Sequence, residues 1–124
     1  MLAVDGTDLG SAISNTELEN NCYVFDSGTE QTGPTEVEID GNGNPHVLFT
    51  HDNGGTWEWR YTYWNGSAWT TPSTITTKGS QSSAAGMKLS SGSDITAWLP
   101  TNIPSGERGG DIERWHYDGS SWTR

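Results

Sequence analysis

The side chains best suited to acid–base chemistry are His46 and Tyr61, with Arg60 next to Tyr61 in the chain. A histidine or tyrosine can remove a proton from a substrate, and an arginine can neutralise a carboxylate or a developing negative charge. Successive side chains of a β-strand point to opposite faces, so Arg60 and Tyr61 are expected to point apart. The alternative is that hydrogen bonds or ion pairs between neighbouring units of the fold satisfy His46 and Arg60, Arg60 with Glu58 or another acid. His51 adjoins a predicted turn and is expected to be solvated.

Four aromatic residues of the same segment could bind a sugar, namely Trp59, Tyr61, Tyr63 and Trp64. An aromatic ring offers a large apolar face, which can pack against the apolar face of a pyranose. Strand alternation, however, places Trp57, Trp59, Tyr61 and Tyr63 on one face and Trp64 on the other. At least one of these sets must belong to the core, so both a sugar platform and a packed core remain open.

Short strands must position these side chains. Aromatic and β-branched runs alternate with Gly, Ser, Thr, Asn and Asp, which is typical of hairpins, and the sequence predicts an all-β fold. The predicted strands lie near residues 35–40, 45–51, 56–64, 68–75, 83–90, 94–99 and 111–117, with a last one starting at 121.

Part of the sequence occurs twice. Residues 64–70 (WNGSAWT) return as 117–123 (YDGSSWT), an offset of 53, and residues 43–49 align with 92–98 at an offset of 49. The repeat period is therefore about fifty residues, and the extra residues fall in the Pro- and Gly-rich loop 100–110.

The hairpin dipeptides Asn65-Gly66 and Asp118-Gly119 are predicted to form type I′ turns, because Asn, Asp and Gly accept positive φ most readily. Trp69 and Trp122 follow these turns at equivalent positions. Both are expected to pack between repeat units.

Residues 50–57 (THDNGGTW) fit the pattern Ser/Thr-x-Asp-x-Gly-x-Thr-Trp, the Asp-box of bacterial neuraminidase (BNR) repeats. The Asp52 carboxylate is expected to accept backbone N–H bonds in the turn, Gly54 to supply positive φ, and Trp57 to pack under the hairpin. We therefore predict a structural role for the box, whose defining residues are Thr50, Asp52, Gly54, Thr56 and Trp57.

Segments 40–49 and 60–69 resemble the blades of BNR-type β-propellers, including some polysaccharide lyases, and the resemblance covers about residues 33–124. It implies four-stranded antiparallel blades, an Asp-box far from any active site, and a role connected with sugars through sialidase-like hydrolysis or lyase-type β-elimination. In such a lyase, His46, His51 or Tyr61 would remove the proton next to a uronic carboxylate that Arg60 neutralises. An Arg triad, a Tyr/Glu nucleophile pair and a complete lyase site cannot be assigned, so the catalytic residues stay unknown.

The repeat divides the chain into three parts. Residues 1–33 form a lead-in, with one strand predicted at 22–26, that could belong to a preceding blade. Residues 34–79 form the first full blade with the Asp-box, and residues 80–124 form a second blade whose last strand is cut short. Two blades cannot close a propeller, so the chain is expected either to be a fragment of a longer polypeptide or to assemble into a ring of several copies.

Composition limits the partners. Sixteen acidic residues stand against six basic ones, with a net charge of −10, so we expect no nucleic-acid partner. No apolar run is long enough to cross a bilayer, so no membrane partner is expected. The amino terminus lacks a signal peptide, and the single cysteine excludes an internal disulfide. The acidic, Gly- and Trp-rich balance is nevertheless similar to that of secreted carbohydrate-handling domains, which predicts an extracellular location.

No cofactor is predicted. Residues 40–44 (DGNGN) resemble the first half of a calcium loop, but Pro45 and His51 stand where an EF-hand requires Gly and a bidentate Glu. A tight turn is the expected structure, with adventitious calcium as the alternative.

Three functions remain after these exclusions. The first is a carbohydrate-related propeller segment of an extracellular polysaccharide-binding or polysaccharide-processing protein, with a glycan as partner. The second is a non-catalytic, lectin-like ring built from several short chains. The third is a structural or partner-binding propeller. Whether the whole protein is an enzyme stays open, and this chain alone is not expected to be active.

Overall fold

The computed structural model describes residues 32–79, 85–106 and 110–124. They form two four-stranded antiparallel sheets, with strand orders β1-β2-β3-β4 and β5-β6-β7-β8. The first sheet contains β1 (Thr32–Ile39), β2 (Pro45–Asn53), β3 (Thr56–Tyr63) and β4 (Ser73–Gly79). The second contains β5 (Gly86–Ser91), β6 (Asp94–Thr101), β7 (Asp111–Tyr117) and β8 (Trp122–Thr123). The predicted all-β fold with four-stranded antiparallel units is confirmed. Nearly all of the lead-in, including the strand predicted at 22–26, lies outside the described residues.

None of the described residues belongs to a helix that is long and apolar enough to cross a membrane.

The fourth strand of the first sheet begins later than predicted. β4 starts at Ser73, whereas Trp69 makes only an isolated bridge to Trp64. Pro72 lies between the bridge and the strand and has no N–H group to donate to a ladder. The hairpin ladder therefore stops after the bridge and resumes beyond the proline.

The two Asn/Asp-Gly-Ser turns do not have the predicted type I′ geometry. Gly66 and Gly119 have positive φ, 97° and 94°, but Asn65 and Asp118 do not. The Oδ1 atom of Asn65 accepts hydrogen bonds from the N–H groups two and three residues later, at 3.0 and 2.9 Å, and Asp118 does the same, both at 2.9 Å. The prediction was wrong because these side chains close the turn themselves. The same bonds lower the pKa of Asp118 to about 2.

The Asp-box turn has the geometry that the other two lack. Asn53 pairs with Thr56, and the intervening Gly54 and Gly55 both have positive φ, 63° and 93°, as a type I′ turn requires. Asp52 Oδ1 accepts the Gly55 N–H bond at 2.6 Å. The predicted bond from the backbone to Asp52 and the positive φ of Gly54 are confirmed.

The two sheets pack against each other through a common apolar core. Its buried members from the first sheet are Leu48, Trp59, Tyr61 and Ile75, and those from the second are Met87, Ile95, Ala97 and Leu99. The fully buried Trp59 also donates its indole N–H to the Pro100 carbonyl oxygen at 2.8 Å, which ties β3 to β6.

Strand pairing corrects the alignment of the two repeats. Trp64 and Tyr117 are equivalent aromatic residues, and the Trp64 N–H donates to the Pro45 carbonyl at 2.9 Å while Tyr117 pairs with Ile95. Pro45 and Ile95 are therefore equivalent, fifty positions apart, whereas the alignment of the glycines gave an offset of 49. A shift of one residue exchanges the two faces of a strand. The corrected register decides which side chains of the two sheets correspond.

Trp59 is expected to be the largest single contributor to the contact between the sheets. Trp59→Ala should lower the free energy of unfolding by about 3–5 kcal/mol, because it leaves a large cavity. Trp59→Phe keeps most of the ring but leaves the buried Pro100 carbonyl without its donor, so a loss of about 1–3 kcal/mol is expected. Urea unfolding of both variants measures this, and a loss below about 1 kcal/mol for the alanine variant would contradict the packing described.

Asp52 should stabilise the Asp-box turn through its acceptor oxygen. Asp52→Ala should cost about 1 kcal/mol of unfolding free energy, the usual net value of one hydrogen bond. Asp52→Asn keeps an acceptor oxygen and is the matched control, which should lose less. Equal losses for the two variants in urea unfolding would show that the hydrogen bond is not what matters.

Candidate functional site

The His46 cluster consists of His46, Tyr61, Tyr63, Tyr117 and Trp122. His46 lies at the start of β2 and Tyr63 at the end of β3, while Tyr117 ends β7 and Trp122 begins β8. These positions are at one end of the sheets, and Tyr61 contacts both Tyr117 and Trp122, at ring separations of 5.4 and 5.2 Å. The cluster therefore joins the two sheets. Trp122 packs between them as predicted.

His46 is the polar centre of the cluster. It is 1% exposed, and its Nδ1 atom lies 2.6 Å from the hydroxyl of Tyr61, which is 3% exposed. Its Nε2 atom lies 3.5 Å from Asp40 Oδ2, a contact that becomes an ion pair when His46 is protonated. A neutral imidazole donates from one nitrogen and accepts at the other. When Nδ1 accepts the Tyr61 O–H, the proton lies on Nε2, which faces Asp40 at 3.5 Å but has no hydrogen-bond partner among the described residues.

Asp40 is held by its own turn. Its Oδ1 atom accepts the N–H groups of Asn42 and Asn44, both at 2.8 Å, and its Oδ2 atom accepts the Asn44 side-chain amide at 3.2 Å. These bonds, that of the Asn44 backbone first, lower the pKa of Asp40. Residues 40–44 therefore form the tight turn that the sequence predicted, and the turn points a carboxylate at His46.

Burial sets the protonation states in the cluster. It lowers the pKa of His46, against the opposing effect of Asp40. It also raises the pKa of Tyr61 far above its usual value, with smaller contributions from Tyr117 and Tyr63. His46 is therefore neutral and Tyr61 protonated at neutral pH. A protonated, buried tyrosine is a hydrogen-bond donor and not a base.

The rings of the cluster are stacked around His46 and Tyr61. Tyr63 stacks on His46 with the ring centres 5.2 Å apart and the planes 10° apart, and it lies 5.8 Å from Tyr61. Tyr63 and Tyr117 are half-buried. Neither of their hydroxyls has a hydrogen-bond partner among the described residues. Trp122 is half-buried as well, so these three rings form the accessible part of the cluster.

Arg60 points away from Tyr61, as predicted. It pairs with Glu58, and both its Nε and one terminal nitrogen lie 2.9 Å from Glu58 Oε2. Burial alone would raise the pKa of Glu58, but its hydrogen bonds with Arg60, Asn53 and Thr74 lower it. The alternative that Arg60 is satisfied by Glu58 is confirmed. No cation of the described part of the chain therefore approaches His46 and Tyr61 from this strand.

His51 was expected to be solvated, and that expectation was wrong. It is 2% exposed, and it lies inside β2, which continues to Asn53 and pairs His51 with Glu58. The strand was predicted to end at His51, but β2 continues for two more residues before the turn begins.

The four aromatic residues considered as a sugar platform do not share one surface. Trp59 and Tyr61 are buried in the core, and Tyr63 stacks on His46. Trp64 lies on the opposite face, where its ring contacts Trp69 at 5.9 Å and an angle of 71°. Of the four, only Tyr63 is both in the His46 cluster and partly accessible.

The Asp-box lies at the other end of the first sheet. β2 begins next to His46 and ends beside Asp52, so the Gly54–Gly55 turn is separated from the cluster by the length of the strand. Thr50 is buried and Trp57 is half-buried opposite Asp52. The box helps to close the hairpin that carries the cluster and does not belong to it.

A metal site is not evident in ranges 32–79, 85–106 and 110–124, where no three His, Cys, Asp or Glu side chains lie together as a metal ion would require. The Asp40 oxygens, which the sequence singled out for calcium, accept N–H bonds instead.

His46 should make the stability of the fold depend on pH. Its pKa in the folded state is below the unfolded value of about 6.5, so the unfolded chain binds more protons between these two values. The stabilisation is complete above about pH 6.5 and falls as the pH drops through the unfolded pKa. We expect the unfolding free energy of the wild type to decrease between pH 7.5 and 5.5, and that of His46→Gln to decrease less. Parallel pH dependences of the two proteins in urea unfolding would contradict this assignment.

No protein-family model, curated protein or solved structure was found to match the chain. The resemblance to BNR repeats therefore stays a prediction, and any function has to be argued from the geometry of the His46 cluster.

Proposed function

We propose that the chain is a carbohydrate-binding segment of an extracellular, propeller-type protein and that its His46 cluster binds a glycan without cleaving it. The observation that carries this proposal is the division within the cluster. The groups that could transfer protons, His46 and Tyr61, are buried and hydrogen-bonded to each other, whereas Tyr63, Tyr117 and Trp122 are only half-buried, and the two tyrosine hydroxyls have no partner among the described residues.

Catalysis is disfavoured by the state of the candidate residues. A general base has to reach its substrate and has to be deprotonated at the working pH. Tyr61 is almost completely buried, and the same burial raises its pKa, while His46 uses its Nδ1 atom to bind Tyr61. Arg60 lies on the opposite face and is paired with Glu58. Within the described ranges, no acid, base and cation converge on one substrate position.

Glycan binding is favoured by Tyr63 and Tyr117. A tyrosine combines an apolar ring with a hydroxyl, which suits a sugar that has an apolar face and hydroxyl edges. Both rings are fixed by their neighbours, Tyr63 by His46 and Tyr117 by Trp122. Rings that are already fixed lose little conformational freedom on binding, so more of the interaction energy is available as affinity.

Binding can be tested with Tyr63→Ala and Tyr117→Ala against a panel of neutral and uronate polysaccharides by isothermal titration calorimetry. Each alanine variant should weaken binding at least about tenfold, which corresponds to about 1.4 kcal/mol. The matched variants Tyr63→Phe and Tyr117→Phe keep the ring and lose only the hydroxyl, so they should retain most of the affinity.

The same samples report on cleavage. Incubation of the folded wild type with uronate polysaccharides should give no absorbance from unsaturated uronates. Absorbance that disappears in Tyr61→Phe would overturn the non-catalytic assignment. Absence of binding to every polysaccharide by a correctly folded protein would overturn the carbohydrate role.

A further inference from the structure

Four large hydrophobic side chains are exposed in the described part of the chain, two on each sheet. Val37 and Ile39 of β1 are 54% and 58% exposed, and Trp98 of β6 and Ile112 of β7 are 41% and 65% exposed. Isolated exposed apolar residues are ordinary, but these occur in two pairs on two sheet faces.

Both pairs lie on faces that point away from the contact between the sheets. Leu48 of the first sheet is buried in the common core and pairs with Glu36, so Val37, the next residue of β1, lies on the opposite face. In the second sheet Ala97 is buried in the core, so Trp98 lies on the opposite face. Ile112 joins Trp98 there through its pairing with Pro100.

The exposed pair of the second sheet occupies positions that the first sheet buries. In the corrected register Trp98 corresponds to Leu48, and Ile112 corresponds to Trp59. Leu48 and Trp59 are fully buried where the second sheet covers them.

The exposed pair of the first sheet occupies positions that the second sheet buries. Val37 pairs with Val47 as Met87 pairs with Ala97, and Ile39 pairs with Pro45 as Leu89 pairs with Ile95. Met87 is buried in the common core and Leu89 packs against it. Val47, on the same face as Val37, is buried as well, so the open part of this face is the strip along β1.

From this correspondence we infer that a second copy of the chain docks on the outer face of the second sheet, and that it does so with its β1 strip. The β1 strip is Val37 and Ile39, and the acceptor face is Trp98, Ile112, Lys88 and Arg114. The docking copy would supply the equivalents of Met87 and Leu89 only, because Val47 and Phe49, the equivalents of Ala97 and Leu99, are already buried within each chain.

Charge supports the same partner. Lys88 pairs with Thr96 and Arg114 pairs with Trp98, so both cations lie on the acceptor face, and both are exposed. Neither has a carboxylate partner within the described ranges. They are two of only six basic residues in a chain of net charge −10, so this face is opposite in sign to the chain as a whole.

Arg114 also has a specific counterpart. It corresponds to Tyr61, whose ring contacts Trp122 at 5.2 Å and Tyr117 at 5.4 Å. The equivalents of those two rings in the docking copy are Trp69 and Trp64, which form a half-buried pair. An arginine placed against tryptophan rings makes a favourable cation–π contact.

The contact joins two different surfaces, so each copy still has one of each available. Such head-to-tail contacts continue until they close into a ring or extend as a filament. The assembly is independent of glycan binding, because Tyr63 and Tyr117 belong to the contact inside each chain and not to either docking surface.

Analytical ultracentrifugation of the full chain tests this inference, with two charge variants. The strip variant is Val37→Glu with Ile39→Glu, and the acceptor variant is Trp98→Glu with Arg114→Glu. The wild type should form a species of three or more copies at about 100 µM, and each variant alone should sediment as a single chain. A mixture should give a species of two chains and no larger one, because each variant keeps one intact surface. Thr77→Glu with Ser105→Glu, at exposed polar positions, is the matched control and should assemble like the wild type.

A wild type that stays a single chain at this concentration overturns the inference. So does a mixture without the two-chain species, provided that circular dichroism shows both variants to be folded. Assembly that only the control variant disturbs would also place the contact elsewhere.

Discussion

The burial of the Tyr61 hydroxyl is the constraint on which the arrangement of the cluster depends. A buried hydroxyl is costly without a hydrogen-bond partner, and Tyr61 finds that partner in His46. His46 is itself buried, and Asp40 provides the counterpart for its second nitrogen. Asp40 can do so because its turn has already fixed the carboxylate through backbone N–H bonds. The turn at Asp40, the position of His46 on β2 and the burial of Tyr61 on β3 therefore depend on one another.

The same constraint separates structural from functional use of these residues. Desolvation that keeps Tyr61 protonated and His46 neutral makes the pair a stable donor and acceptor, and it removes the reactivity that the residue types offer. Tyr63 and Tyr117 lie at the rim of the cluster, where they are partly accessible. The contacts of Tyr61 with Tyr117 and Trp122 also join the two sheets, so the cluster is part of the core of the molecule.

The strands could be predicted from the sequence, because their alternation and their Gly- and Asn-rich turns are local signals. The predictions failed where two local preferences conflicted, or where the answer depended on which strands, distant in the sequence, pair with each other. Asn65 was expected to adopt positive φ, but its side chain closes the turn instead. The late start of β4 follows from Pro72. His51 was predicted to be solvated beside a turn, because the apolar residues end before it, but β2 continues to Asn53. The link between Asp40 and His46, and the fifty-residue register, depend on which strands pair, which no local pattern states.

The two sheets have the same strand arrangement but different side chains at equivalent positions. The positions of His46, Leu48 and Tyr61 are occupied in the second sheet by Thr96, Trp98 and Arg114. A hydrogen-bonded His–Tyr pair therefore occurs once among the described residues, and its equivalent is an aromatic and cationic surface. Leu48 and Tyr61 suit a face that is buried in an uncharged core inside the chain. Trp98 and Arg114 would suit a face that binds an acidic partner. If copies assemble through that surface, each one brings a single His46 cluster, and the assembly contains as many of these clusters as it has chains.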